Sequence, residues 1–415
     1  MNAAELRAAV ERELDGNLLP FWRRRSVDSV GGGFIGEMAN DGTVRRDAAK
    51  GLTLNARLLW TFAALYRRLG DESDLALADR AYEVLDGRFR DRVHGGYLWR
   101  LDSAGRPLDG AKKIYGQAFC IYALSELNLA TGRPEPLRAA RETYELIERH
   151  AHDDRHLGYV EALAADWSET ADLRLSAKDL NEAKSMNNHL HLVEAYANLY
   201  RAWPDGGLAI RLGELIDLFG AHILERPNPE RSSHEPGAGR HSLRHFFDEQ
   251  WNVRSTGNTY GHDIEAAWLL GEAADALGDA RRQAAVDRWS VGLARTVLAE
   301  GLDEEGGLVY AARDGAVVDP SREWWCQAEA VVGFWDAYGL TGEAGFAEAA
   351  ARVWRFIDAR MVDRANGEWF WRVRADGSVD RDEPKVSEWK GPYHNTRMCL
   401  ELMGRIDHGA NGRER

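Results

Sequence analysis

Long stretches of this chain carry apolar residues at helical spacing, and glycine-rich aromatic turns break them up at a spacing of about 60 residues. The turns are Gly32-Gly33-Phe34, Gly95-Gly96-Tyr97, Gly158-Tyr159, Gly306-Gly307-Leu308 and Gly367-Glu368-Trp369. Each repeat therefore reads as helix, loop with a short hairpin, helix. The gap between the third and fourth turns is about two periods wide, and Phe246-Phe247-Asp248-Glu249-Gln250-Trp251 falls where a degenerate copy would lie. Six units result. Six helical hairpins, each with an uncovered apolar face, bury those faces by closing into a ring. The pattern predicts an all-α fold, an (α/α)6 barrel with short β-hairpins in the loops at one end and a cavity there.

The repeat overrides the two or three domains that 415 residues would otherwise suggest. No linker separates two compositions, and the long irregular loop Arg226 to Arg240 lies inside the repeat array, so residues 1–415 are expected to be a single catalytic domain. A formal net charge of −14 opposes nucleic acid and anionic membrane partners and suits a neutral substrate. The first residues, AAELRAAVERELDGNLLPFW, lack an apolar signal core, and no run approaches the length of a membrane span. Cys120, Cys326 and Cys399 lack metal or redox spacing and read as reduced thiols of a cytoplasmic protein. The 15 tryptophans exceed what core packing alone explains, and those beside polar residues, as in Glu323-Trp324-Trp325, suit the C–H faces of sugar rings.

Three segments set histidine among polar groups beside apolar helix: Asn187-Asn188-His189-Leu190-His191, Gly261-His262-Asp263-Ile264-Glu265, and Trp389-Lys390-Gly391-Pro392-Tyr393-His394. On a helix Asn187 and His191 share a face, as do His262 and Glu265, whereas His189 points about 200° away from Asn187. His191 and His262 are thus cavity candidates and His189 is not. Pro392 suits a first helical turn, which puts His394 in the opening turn of a last helix with Arg397 one turn on. A buried histidine often does no more than satisfy its own hydrogen bonds, yet three in the loop-proximal parts of different repeats argue for a site. Metal binding is not expected: His189 and His191 diverge, the HExxH pattern is absent, and no cysteine pair assists.

The strings KSMNNHLHLVEAYANLYRAW, YGHDIEAAWLL, WWCQAEAVVGF and WKGPYHNTRMCLEL, with LNARLLW and KKIYGQAF, resemble the cellobiose 2-epimerase family of the N-acylglucosamine 2-epimerase superfamily, in order along essentially the whole chain. The resemblance implies an (α/α)6 barrel that needs no metal, nucleotide or other cofactor and interconverts glucose and mannose at the reducing end of β-1,4-linked disaccharides. It implies acid/base histidines at His262 and His394 and a third active-site histidine at His191. Arg57, Tyr115, Asn187 and Glu265 match positions around the reducing-end sugar. Trp325 and Trp389 match the aromatics that hold the two rings, and Asp179 a further polar contact. Asn188 departs from the small hydroxyl residue often found at its place. A monomer and a homodimer both remain open.

Inverting C2 of an aldose means opening the ring, removing a proton next to the aldehyde and returning one to the opposite face. Histidine, with an ordinary pKa near 6.5, both takes and gives a proton at neutral pH. His262 and His394 come from different repeats, so a ring can aim them at opposite faces of one carbon. Arg57 is suited to the charge of an enediolate, Glu265 to orienting His262, and His191 to the ring oxygen or ring opening. Returning the proton to C1 would give aldose–ketose isomerisation instead. The alternatives are a mannose isomerase or mannose 2-epimerase, an N-acylglucosamine 2-epimerase, an inverting glycosidase using two carboxyl groups, and a non-catalytic sugar-binding module.

Overall fold

The structure is a computed structural model that describes residues 1–226 and 240–409. The irregular loop expected between Arg226 and Arg240 lies, except for its ends, outside the described residues.

The chain opens with an outer helix, α1 (Ala3–Glu13), which continues through a π-helical turn into α2 (Leu19–Arg25). Inner and outer helices then alternate. The inner ones are α3 (Leu52–Leu69), α5 (Ile114–Thr131), α7 (Met186–Ala202), α9 (Tyr260–Leu277), α11 (Trp324–Thr341) and α13 (Tyr393–Asp407). The outer ones are α4 (Glu72–Val84), α6 (Pro134–His150), α8 (Gly206–Leu218), α10 (Ala280–Glu300) and α12 (Ala344–Phe356). Each inner helix packs on the next, and α13 packs on both α3 and α1, which closes the ring. Composition sorts the two circles. Inner α5 buries nearly every residue from Ile114 to Leu127, whereas outer α6 buries one stripe (Pro136, Ala139, Ala140, Thr143, Tyr144, Ile147) and wets the rest.

Short antiparallel strands at one end lace the units together, mostly between repeats rather than within one. The residues before each inner helix pair with the strand that follows the next turn: Lys50-Gly51 with Arg100-Leu101, Lys112-Lys113 with Ala162-Leu163, and Lys184-Ser185 with Phe246-Phe247. The series continues with Asn258-Thr259 on Ala311-Ala312 and Arg322-Glu323 on Arg372-Val373. A Met38–Val386 bridge makes the sixth pairing and joins the last unit to the first.

The same repeat corrects one expectation. Phe246-Phe247 is the strand that follows the fourth turn, not the degenerate turn itself; the turn's own position is taken by the pairing of Leu224-Glu225 with Ser242-Leu243, which brackets the undescribed loop.

Two buried devices hold the turns. A cation ahead of the inner helix reaches an aspartate at the turn: Lys50–Asp28 (2.9 Å), Lys112–Asp91 (2.7 Å), Lys184–Asp153 (2.7 Å), Arg322–Asp303 (3.3 Å) and Lys385–Asp363 (2.5 Å). Lys50, Lys184 and Lys385 also donate to the turn carbonyls of Gly32, Leu157 and Gly367. The second device sits on the fourth residue of the inner helix. Gln117 accepts from Tyr97 N–H and donates to Tyr97 C=O, and Gln327 does the same at Leu308. His189 Nε2 accepts from Tyr159 N–H at 3.0 Å, and Asp263 Oδ1 from Leu243 N–H at 2.8 Å. These turns favour glycine because Gly32, Gly33, Gly95 and Gly96 have φ between 67° and 79°, although Leu157 and Glu368 hold the same left-handed conformation at equivalent places.

Candidate active site

Every inner helix starts at the laced end, so six helix N-termini converge on one cavity of about 700 Å³. The second and sixth residues of these helices share a face, and that face looks into the barrel. Tyr115 and Phe119, Asn187 and His191, and Trp325 and Glu329 occupy these places, with Arg57 the sixth residue of α3. His262 and Glu265 of α9, and His394 and Arg397 of α13, project from the same turns. All ten sequence-predicted residues line this cavity: Arg57, Tyr115, Asp179, Asn187, His191, His262, Glu265, Trp325, Trp389 and His394. His189, which the helical geometry had turned away, does not.

Two histidines are anchored through Nδ1 by buried carboxylates. His394 Nδ1–H donates to Glu329 Oε1 at 2.6 Å, and His191 Nδ1–H to Glu194 Oε2 at 2.9 Å. A carboxylate only accepts, so each ring carries its proton on Nδ1 and keeps Nε2 free. His262 differs: its Nδ1 lies 2.6 Å from the hydroxyl of Thr259. Burial holds all three below the ordinary histidine value, His394 down to about 3 and His262 well below 6.5, which favours the neutral ring in the free protein.

Beneath them lies an ion cluster. Arg397 donates to Glu265 (2.9 Å), to Glu329 (2.7 Å), to Glu194 and to the Tyr393 hydroxyl. Burial pushes the Glu194 carboxyl up, but Arg397 and His191 outweigh it and hold the group at about 2. Burial and the neighbouring Glu329 push Glu265 well above the usual carboxylate range. Ligand atoms of Glu265, Glu329 and His394 converge within 4.8 Å, as a cation site would; the Arg397 guanidinium already supplies the positive charge there.

Arg57 Nη2 donates to the Tyr115 oxygen at 2.8 Å and Nη1 to the Trp389 carbonyl at 3.1 Å, with its guanidinium carbon 4.4 Å from the Phe119 ring centre. Burial keeps Tyr115 protonated, its pKa pushed up to about 12, so its O–H remains a donor. Arg57 Nε, Asn187 Oδ1 and Trp324 Nε1 are buried polar atoms of the lining without a hydrogen-bond partner among the described residues. Donors and an acceptor left open among aromatic faces suit a polyhydroxylated ligand. Trp325 lies 4.7 Å from the His262 ring and 5.7 Å from that of His394. Trp389, beside Trp99 and Tyr115, forms another part of the wall. Asp179 is at the mouth, where its Oδ2 accepts from Ser176 N–H at 2.7 Å.

One expected contact is absent: Glu265 does not orient His262. The carboxylate bonds Arg397 and lies 4.0 Å from His394 Nδ1, because the sixth position of α9 faces α13 across the barrel. Sequence reasoning also passed over Glu194, Glu329, Thr259, Tyr310 and Trp371. The first two had a signal, since Glu194 is three residues from His191 and Glu329 four from Trp325, each on the cavity-facing stripe. Tyr310 and Trp371 come from loops, whose approach to the cavity only the interunit pairing reveals.

The fold and site define a sugar-handling α/α barrel, and the chain belongs to the N-acylglucosamine 2-epimerase (GlcNAc 2-epimerase) family, which residues 33–396 match. The cellobiose 2-epimerase of Bacteroides fragilis is 43% identical over 400 residues, 96% of this chain and 99% of that one. The structure of cellobiose 2-epimerase from Bacillus thermoamylovorans B4167 superposes with a TM-score of 0.88 at 35% identity, covering 97% of this chain and 100% of that one. The D-mannose isomerase of Marinomonas mediterranea is more distant, 25% identical over 90% of this chain and 91% of its own.

Proposed function

We propose that this protein is a cellobiose 2-epimerase, an isomerase that interconverts glucose and mannose configurations at the reducing end of a β-1,4-linked disaccharide. The observation that carries this reading is the pair His262 and His394: two neutral imidazoles from different helices of the ring, each fixed through Nδ1, at one aromatic-walled cavity. The family and the cellobiose 2-epimerase relatives support the substrate class.

His191, with Nε2 free and Glu194 behind it, assists ring opening to the aldehyde. One of the pair takes the C2 proton at Nε2. The C–H electron pair becomes the C1–C2 double bond, and O1 gains charge opposite Arg57 and the Tyr115 hydroxyl. The other histidine delivers a proton to the opposite face of C2, and the π electrons form the new C–H bond. One proton must therefore already be present on the far side. A neutral ring with its proton on Nδ1 has none on Nε2, so the donor enters this step as the imidazolium with Nε2–H towards C2; for His394 the Glu329 carboxylate on Nδ1 is the counter-charge. The carboxylates of the floor are engaged by Arg397 or a histidine, so imidazole nitrogens rather than a pair of carboxyl groups meet the substrate. This favours epimerisation over inverting glycoside hydrolysis.

His262→Ala and His394→Ala test the assignment. Each should lower epimerisation at least about a hundredfold, since each removes one positioned acid/base group. A variant may still exchange the C2 proton of the epimer its remaining histidine serves while failing to invert it. Near-normal epimerisation in either folded variant removes that residue from the chemistry, with His191 the replacement.

A further inference from the structure

The three active-site histidines are not supported alike. His191 and His394 each rest on a buried carboxylate, whereas His262 rests on a neutral hydroxyl. We propose that Thr259 is a positioning residue for epimerisation: its hydroxyl accepts from His262 Nδ1–H and keeps Nε2 open towards C2.

The geometry behind this is local and rigid. Thr259 is the last residue of the strand that leads into α9, and its backbone pairs with Ala311 of the neighbouring unit. Its N–H donates to the half-buried His245 Nε2 at 3.4 Å, and Thr259 is itself buried, so the hydroxyl has little freedom to leave His262. Three residues on, in the first turn of the helix, His262 presents Nδ1 to that hydroxyl at 2.6 Å. The remaining faces of the ring meet Trp325 at 4.7 Å and His245 at 5.6 Å between ring centres. The groups acting electrostatically on His262 are the histidines 245, 191 and 394, and no carboxylate is among them. A hydroxyl cannot supply the counter-charge that Glu329 gives His394, so an imidazolium costs more at His262. It fixes the orientation of the ring, and it accepts from Nδ1–H when Nε2 carries the lone pair that a base needs.

In the forward step His262 Nε2 takes the C2 proton, the C–H pair enters the enediolate, and the Nδ1–H to Thr259 bond persists. In the reverse direction the same proton returns to carbon. Thr259 itself neither gains nor loses a proton.

This inference rests on the acid/base assignment of His262, and the experiment separates the two. Thr259→Val keeps shape and removes the hydroxyl; Thr259→Ser restores it. Each variant is assayed with the glucose-ended and mannose-ended disaccharide in deuterated water, following kcat, KM and C2 deuterium by NMR. The expected result for Thr259→Val is a loss of about tenfold or more in kcat with KM within about twofold. C2 exchange should fall more from one epimer than from the other, and Thr259→Ser should recover most of the rate. Wild-type kcat in folded Thr259→Val, equal loss of exchange from both epimers, or a loss that Ser does not recover overturns the proposal. If His262→Ala itself remains active, the assignment of His262 fails and Thr259 falls with it; if His262→Ala is dead while Thr259→Val is normal, only the Thr259 proposal fails.

Discussion

His189 and His191 sit two residues apart on α7 and do unrelated work. His189 occupies the turn-locking place that Gln117 and Gln327 fill in other units, whereas His191 faces the cavity on Glu194. His189→Gln should therefore leave turnover unchanged and stability within about 1 kcal/mol, because a glutamine amide accepts the same backbone N–H. His191→Gln should lose most activity while melting normally. Thermal melts and epimerisation rates check both, and an inactive, stable His189→Gln would reverse the assignment. Burial also fixes a pH dependence. A histidine held below 6.5 in the fold stays a neutral base to lower pH, so kcat/KM should not decline between pH 7.5 and 6.5. Stability follows the same sign. The native state binds fewer protons at these histidines than the unfolded chain, so their contribution is complete above 6.5 and lost as pH falls below it. An acid limb in kcat/KM centred at or above 6.5 would contradict this. At this scale the divergence of His189 from His191 was legible from 100° per residue alone. The partner of Glu265 was not, because helical spacing says which face a residue shares and nothing about which helix lies opposite.

At the scale of the helix, the second and sixth residues of the inner elements carry the site and the fourth carries the turn. The 3.6-residue period made the shared faces of Asn187 with His191 and of His262 with Glu265 legible, whereas the turn lock on the fourth residue and Glu329 on the sixth of α11 became visible only with the helix starts in place. The strand pairing between units is not legible in the sequence, because two-residue strands have no periodicity of their own, and Phe246-Phe247 therefore reads as part of a turn. Two predictions belong here. Gln117→Ala leaves the N–H and C=O of buried Tyr97 unpaired and should cost about 1–3 kcal/mol in denaturant melts, with the active-site residues unchanged; a neutral variant would refute the turn lock. Trp325→Ala and Trp389→Ala should weaken disaccharide turnover at low substrate by about 1–3 kcal/mol through lost ring contact, with the fold intact. A variant with normal kcat/KM removes that tryptophan from the binding wall.

The whole molecule is a ring closed by α13 against α3 and α1 and by the bridge from Met38 to Val386, segments almost 350 residues apart. Closure is what aims helices α9 and α13 at one cavity, and the repeat spacing made it legible long before any contact was known. Among the described residues no helix is long and apolar enough to cross a membrane. Since Arg397 supplies the positive charge at the Glu265–Glu329–His394 cluster, a chelator should leave turnover unchanged; a loss restored by a divalent ion would place a metal in the reaction. The most direct test of the central claim is to incubate the protein with cellobiose in deuterated water, without metal or nucleotide, and follow the products by NMR. The account predicts conserved disaccharide, appearance of the mannose-ended epimer and deuterium at its C2. Release of monosaccharide, or inversion with the C2 hydrogen retained, would contradict it.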